Sequence, residues 1–293
     1  MFASCKHGIL LYQIENEMQE LRIRTGEGLE DNKAFRHFLE TLPKTFDTIG
    51  QDIHHARNVL KIIDVVDLGL KVNQVMVKRY HGLFWFQKID YTYFRKPKCR
   101  KAFDNTAELR RRGFDAAEEL ACVEVWNHGL FQYAFFVSAV GEGLRLDSYV
   151  YQLQEQNRTD VVSAVIKEYA RLVYRLHQQG VHYRDMNCGN ALCRYDDETG
   201  ECHFCLVDTN RTCFYEEGKL LPMDVCMSDL ILMNPRMGTV EYFIGEYLKL
   251  RGIYSEEKVK EIREIQRKRH EKKRPVKKFL KRYKKQYYKW LEG

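Results

Sequence analysis

The chain of 293 residues has no G-x-G-x-x-G loop, only five prolines, no low-complexity linker and no apolar run approaching twenty residues. The last absence excludes a membrane-spanning helix, which takes ~20 apolar residues. The longest such run, near Tyr133 to Val140, is strand-sized. Without linkers or internal repeats, the chain reads as one two-lobed domain or two domains, and at 44% hydrophobic it can bury a large core. Its start, Met1-Phe2-Ala3-Ser4-Cys5-Lys6, then a short apolar patch and charges, does not read as a secretory signal. Nine cysteines without such a signal are expected as free thiols in a reducing compartment. The missing glycine loop removes the commonest cradle for nucleotide phosphates. Gly50 precedes a strand, and His54-His55-Ala56-Arg57-Asn58 stands where a covering loop would lie.

What is present begins with charge. Residues 258–293 hold 16 Lys and Arg against 4 Asp and Glu, a net +12, while the whole chain is +7, so residues 1–257 carry −5. The basic character belongs to the tail. It implies either an anionic partner (a membrane surface, a phosphorylated glycolipid or nucleic acid) or a solvated helix face. Val276, Phe279, Leu280, Tyr283, Tyr287, Trp290 and Leu291 form one apolar stripe among those lysines, suited to packing on the chain itself or to an anionic membrane surface.

The chemistry concentrates in Tyr183-Arg184-Asp185-Met186-Asn187-Cys188-Gly189-Asn190 and, after it, Leu206-Val207-Asp208-Thr209-Asn210-Arg211. An acid stands five residues before an amide, and a second acid closes the apolar strand Phe204 to Val207. Alone, each acid reads equally well as a cap or a turn residue. In this order they form a set that phosphoryl transfer from ATP requires. One carboxylate orients the attacking hydroxyl, while a carboxylate and an amide oxygen hold Mg²⁺ on the phosphates. Asp185 is the candidate base, and Asn190 and Asp208 are the candidate metal ligands. Upstream, Val75-Met76-Val77-Lys78 places a lysine at the end of an apolar strand, where a kinase fold pairs ATP phosphates with an acid on the next helix.

Periodicity fills in the frame. A helix is predicted over Asn32–Phe46, with strands around Val59–Ile63 and over Val72–Tyr80. Leu83 to Arg100 interleaves six aromatic rings with five cations. It reads as a packed loop and helix start, or as an interfacial patch. The helix predicted over Lys101–Arg112 should carry the acidic partner of Lys78. Asp104 and Glu108 are both available one turn apart, and Glu108 is preferred. Val123 to Val137 reads as two strands, Ser138 to Gly143 as a hinge, and Asp160 to Gln179 as an amphipathic helix that Gly180 stops. Cys202-His203-Phe204-Cys205 looks like half a zinc site, but positions i and i+3 of a strand face opposite sides.

Several stretches together resemble the lipopolysaccharide inner-core kinase family, the Kdo/WaaP (InaA-like) kinases. They are Ala56-Arg57-Asn58, Val77-Lys78-Arg79-Tyr80, Tyr91-Thr92-Tyr93-Phe94-Arg95-Lys96, Gly113-Phe114, Tyr183-Arg184-Asp185 with Asn190, and Val207-Asp208-Thr209-Asn210-Arg211. The resemblance runs from about Leu42 to about Leu250, with D-x-N-R at Asp208 its most telling mark. It departs at Ala56, where a glycine is usual, and at Tyr183, where a histidine is usual. The resemblance implies an α+β, protein-kinase-like two-lobed fold with a small β-rich N-lobe and a mostly helical C-lobe. The expected division is an N-terminal extension 1–31, an N-lobe 32–138, a C-lobe 139–254 and a basic amphipathic helical tail 255–293. It also implies ATP and Mg²⁺ as cofactors, with Lys78 on the phosphates, and Kdo or heptose of a lipopolysaccharide core glycolipid as acceptor. The setting would be cytoplasmic, at the inner face of the inner membrane, in peripheral contact with its anionic surface and without nucleic acid. The alternatives are a protein or small-molecule kinase of the same fold, or an inactive kinase-like protein that binds glycolipid or membrane.

Overall fold

The computed structural model describes residues 10–13, 19–55, 58–234 and 237–271. They belong to two compact units, one of residues up to 143 with 192–194 and 203–212, the other of the remainder. In chain order the first unit supplies β1 (Leu10–Gln13), β2 (Gln19–Thr25), α1 (Lys33–Thr45), β3 (Gln51–His55), β4 (Asn58–Asp64), β5 (Gln74–Tyr80), α2 (Trp85–Tyr93), α3 (Lys98–Arg111), β6 (Glu119–Asn127) and β7 (Leu130–Ala139). These strands make an antiparallel sheet of order β1-β2-β6-β7-β5-β4-β3.

Alternation along β5 explains how the sheet is covered. Val75 and Val77 are fully buried on the face that receives α1, whereas Tyr80 packs on the opposite face with Cys99 and Phe103 of α3. Lys78 shares the period of Tyr80 and therefore the α3 side. On the first face α1 starts at Asn32, whose Oδ1 accepts from the Phe35 N–H at 2.9 Å, and buries Phe35, Leu39 and Leu42 completely. The segment Gln19–Thr25, read from sequence as part of an extension, pairs with β6 over seven positions. Its Leu21 and Ile23 are buried in the sheet core. The stretch read as a loop and helix start contains a separate helix, α2. Residues 56 and 57 of the expected covering loop lie outside the described residues.

The second unit begins with β8 (Leu144–Arg145), α4 (Leu146–Glu155), α5 (Thr159–Gln178) and β9 (Val181–His182). β10 (Ala191–Tyr195) and β11 (Cys202–Leu206) follow as sheet neighbours, with residues 192–194 and 203–206 counted in the first unit. β12 (Cys213–Phe214), α6 (Met223–Leu230), α7 (Val240–Leu250) and a last helix α8 (256–271) complete the chain described. α5 buries Val161, Val165, Tyr169, Val173 and Leu176 along the face its amphipathic pattern predicts, with Leu172 only half-buried, and Tyr169 packs on Phe243 of α7 at 5.4 Å between ring centroids. The start of the basic tail is tied down within this unit. Ile262 is 2% exposed, and the buried Gln266 donates from Nε2 to the Met233 carbonyl at 2.9 Å. The stripe from Val276 to Leu291 lies outside the described residues. No described helix is long and apolar enough to cross a membrane.

Candidate active site

In the first unit the structure brings Lys78 and Asp208 together. Lys78 projects from β5, and its Nζ donates to Asp208 Oδ1 at 2.6 Å. Their side chains are 15% and 32% exposed. Asp208 reaches that place because its strand is stitched into the unit just before it. The Leu206 N–H donates to the Asp115 carbonyl at 3.0 Å, and the Ala117 N–H to the Leu206 carbonyl at 3.2 Å. The turn after Asp208, residues 209–211, is then pinned to α3. Asn105 Nδ2 donates to the carbonyls of Thr209 at 2.8 Å and Thr212 at 3.1 Å, and the buried hydroxyls of Thr106 and Thr209 lie 2.8 Å apart. Asp208 itself has φ 63° and ψ 47°, the left-handed region a non-glycine residue rarely occupies. Lys78 and Asn210 Nδ2 both donate to its Oδ1.

The expected partnership of Lys78 with Glu108 is not formed. Glu108 is taken by Arg111 and Arg112, with Nε–O distances of 2.7 Å to each. The Arg111 hydrogen bond, helped by Arg112 and opposed by modest burial, holds its carboxyl down at about 2. Asp104, the other acid weighed, takes Arg24 at 2.5 Å and Lys96 at 2.6 Å. The turn of α3 that faces the Asp208 segment presents amide and hydroxyl, not carboxylate. The signal in the sequence was Asn105-Thr106, which lay inside the predicted helix and was passed over.

In the second unit α5 delivers the chain to the Asp185 loop. Gly180 ends the helix with φ 67°, and a Cβ there would lie 2.3 Å from the Glu216 carbonyl oxygen, so only glycine fits. β9 then pairs with β12 through His182 and Cys213. Arg184 follows at φ 63°, again left-handed. The loop closes on its own polar groups. The Asp185 carbonyl accepts from the Asn187 N–H at 2.7 Å and from Asn190 Nδ2 at 2.9 Å, and Asp185 Oδ1 accepts from Asn187 Nδ2 at 3.2 Å. Asp185 and Asn190 are thus held together, and Asn187 Oδ1 caps the turn by accepting from the Gly189 N–H at 3.0 Å.

Beneath this loop sits a buried anchor that sequence reasoning missed. Asp229 on α6 is 1% exposed, and its Oδ2 accepts from the Tyr183 N–H at 3.0 Å and lies 3.2 Å from His177 Nε2. His177 Nδ1 in turn meets the Tyr247 hydroxyl at 2.8 Å. Burial alone would lower the His177 pKa. The hydrogen bond to Asp229 and the nearby Cys226 outweigh it, and the net direction is upward. Tyr183 is 1% exposed, and His182 Nε2 meets Ser228 Oγ at 2.6 Å, so both are structural neighbours of the loop.

Each unit offers oxygen donors of the kind Mg²⁺ takes. Asn190 spends its Nδ2 on the Asp185 carbonyl, which turns its acceptor oxygen outward from that bond. Among the described residues Lys78 and Asn210 both use Oδ1 of Asp208, and the Asp208 side chain as a whole is 32% exposed. Hard oxygen ligands of this kind are what Mg²⁺ takes. The other grouping of possible ligands among the described residues, Cys99, Cys122 and Glu124, is fully buried, and its carboxylate already binds Arg100 through both oxygens.

No curated protein matches the chain. Among solved structures, one of WaaP in complex with acyl carrier protein is similar, with a TM-score of 0.54 and 13% sequence identity over 86% of this chain and 98% of that one. At that identity the likeness is one of fold, and it agrees with the α+β, protein-kinase-like architecture. The model of the lipopolysaccharide kinase (Kdo/WaaP) family matches residues 65–215, just over half of the chain, a span that includes Lys78, Asp185, Asn190 and Asp208. The chain belongs to the lipopolysaccharide kinase (Kdo/WaaP) family.

Proposed function

We propose that this kinase transfers the γ-phosphoryl group of ATP to a hydroxyl of Kdo or heptose in the inner core of a membrane glycolipid. The observation that carries the reading is the Lys78–Asp208 pair at 2.6 Å in one unit, together with the Asp185–Asn190 loop in the other. Asp185 orients the sugar hydroxyl and accepts its proton as the new P–O bond forms. Lys78 binds the phosphates, and Asn190 and Asp208 would hold Mg²⁺, which when bound neutralises charge on the transferring group. Preorganisation is the chain's own contribution. The anchored turns at Asp185 and Asp208 cost no rearrangement at the moment of transfer.

The same reading puts the protein at the inner face of the membrane that holds its acceptor. The net charge of +12 over residues 258–293 would favour an anionic surface. The decisive experiment is Asp185→Asn assayed with core glycolipid acceptors and ATP. Phosphoryl transfer should fall by about a hundredfold or more while Mg²⁺·ATP still binds, in keeping with the size of general-base effects. Turnover of the variant within tenfold of wild type would remove Asp185 from the role of base. Mass spectrometry of the product identifies the sugar.

A further inference from the structure

α2 contains no buried residue and is held to the sheet along one side only. Lys88 Nζ donates to Gln132 Oε1 at 2.6 Å, and Thr92 Oγ1 accepts from the Phe131 N–H at 3.0 Å. The Tyr91 ring meets Phe131 edge-on at 5.6 Å. At about 100° per residue, those three anchors take up an arc of about 100°, and Trp85, Ile89, Tyr93 and Phe86 fill the adjoining arc of about 100°, with Trp85 next to the anchored side. Trp85 is 74% exposed, Tyr93 69%, and Phe94, just past the helix, 80%. Phe84 and Phe86 stack at 5.5 Å and are each more than half exposed. A contiguous apolar surface of this kind is uncommon unless something covers it.

The surrounding charge indicates what covers it. Residues 84–101 contain six Lys and Arg against one Asp. The apolar face is a convex helical ridge of rings, two of them amphipathic, with cations immediately after it. This is the pattern that suits the boundary between lipid headgroups and acyl chains. We propose that the outer face of α2 inserts into the surface of an anionic lipid bilayer, with Trp85, Phe86, Tyr93 and Phe94 entering the apolar zone and the basic residues 95–101 staying at headgroup level. The proposal rests on the glycolipid reading for its purpose: a kinase whose acceptor sugar is membrane-bound works from the bilayer surface. It differs from electrostatic docking by the tail, because ring insertion survives salt and charge attraction does not.

The test uses the full chain with Trp290→Phe, which leaves Trp85 and the buried Trp126 as the tryptophans. Vesicles of phosphatidylcholine with about 30% phosphatidylglycerol carry bromine on their acyl chains, and salt is raised to about 0.5 M to suppress attraction between charges. Trp85 fluorescence should be quenched on binding. The triple variant Trp85→Ser, Tyr93→Ser, Phe94→Ser should bind these vesicles at least about tenfold more weakly, with an unchanged Tm because all three side chains are largely exposed. Unquenched Trp85 on vesicle-bound protein, or wild-type vesicle affinity of the triple variant, overturns the proposal. Retained vesicle affinity with lost affinity for an acidic acyl carrier protein overturns it in favour of a protein partner. If neither protein phosphorylates a delipidated core sugar but vesicle binding still depends on the stripe, the proposal stands and only the acceptor reading fails.

Discussion

Removal of the Asp229 carboxylate tests whether the Asp185 loop is set from below. Asp229→Ala leaves the buried Tyr183 N–H without its acceptor, at a cost of about 1–3 kcal/mol. It also strips His177 of its partner. The pKa of His177 lies above its ordinary value near 6.5 in the folded chain, so the Asp229 interaction stabilises fully below that value and is lost as pH rises through the raised one. At about pH 5.5 the variant should therefore lose about 3–5 kcal/mol, the size of breaking a buried pair, and at a pH above the raised value only the 1–3 kcal/mol of the orphaned donor. Asp229→Asn separates the two contributions, since its amide oxygen still accepts from Tyr183 while its charge is gone. It should approach wild type at the higher pH and fall short of it at the lower. Cys226, Tyr247 and Arg251 share the pocket and are unaltered in both variants. Urea unfolding midpoints at the two pH values read the stabilities, and phosphoryl transfer should drop about a hundredfold in Asp229→Ala as Tyr183 and the loop shift. Equal midpoints for wild type and Asp229→Asn at both pH values would refute the charged contribution to His177, and a wild-type midpoint for Asp229→Ala would refute the anchoring argument.

Asp208→Ala should weaken Mg²⁺-dependent nucleotide binding more than Asp185→Asn does; calorimetric titration giving equal affinities would take Asp208 out of the metal site. Arg100→Ala should destabilise the first unit by about 3 kcal/mol, because Glu124, 1% exposed and bound by Arg100 at 2.6 Å, is left as an uncompensated buried charge. Denaturant midpoints check that value, and a loss under 1 kcal/mol would contradict it. Asn105→Ala removes two hydrogen bonds to the turn after Asp208 and should cost about 1–2 kcal/mol. Nucleotide affinity should fall with it, and unchanged affinity would show that the turn holds its shape without α3.

The legible parts of the fold were those written in local periodicity. The helices α1 and α5 and the strand β5 all lie within a few residues of their predicted ranges. What escaped was set by distant partners. β2 looked uninformative because its seven-residue register is dictated by β6, about a hundred residues downstream. α2 broke the usual pattern because its apolar positions face outward, so an amphipathic reading assigned them to a packed loop. Such an inversion is visible in sequence only as aromatics interleaved with cations, and that pattern was noted as an interfacial possibility.

At the site, chemistry was more legible than connection. Spacing singled out Asp185, Asn190 and Asp208 as candidates because five residues and a strand end are local facts, and the structure joins Asp185 to Asn190 and Asp208 to Lys78. The acid for Lys78 was a tertiary question, and helical spacing offered Asp104 and Glu108 without knowing that arginines would claim both nearby. Asp229 was invisible for the same reason: nothing in Ser228-Asp229-Leu230 announces a buried carboxylate beneath a loop more than forty residues earlier. Two backbone facts fit this division. Arg184 and Asp208 are both non-glycine residues held at φ 63°, and each such residue costs on the order of 1–3 kcal/mol unless its surroundings fix it. Glycine at either place would relieve the strain, and at Asp208 it would remove the carboxylate that Lys78 binds. The strain is sustained by what flanks it: the β9–β12 pair and Asp229 at one turn, Asn105 and Thr106 at the other. The turns at Asp185 and Asp208 thus hold a backbone that could not hold itself, and their supports are hydrogen-bonding groups of neighbouring elements.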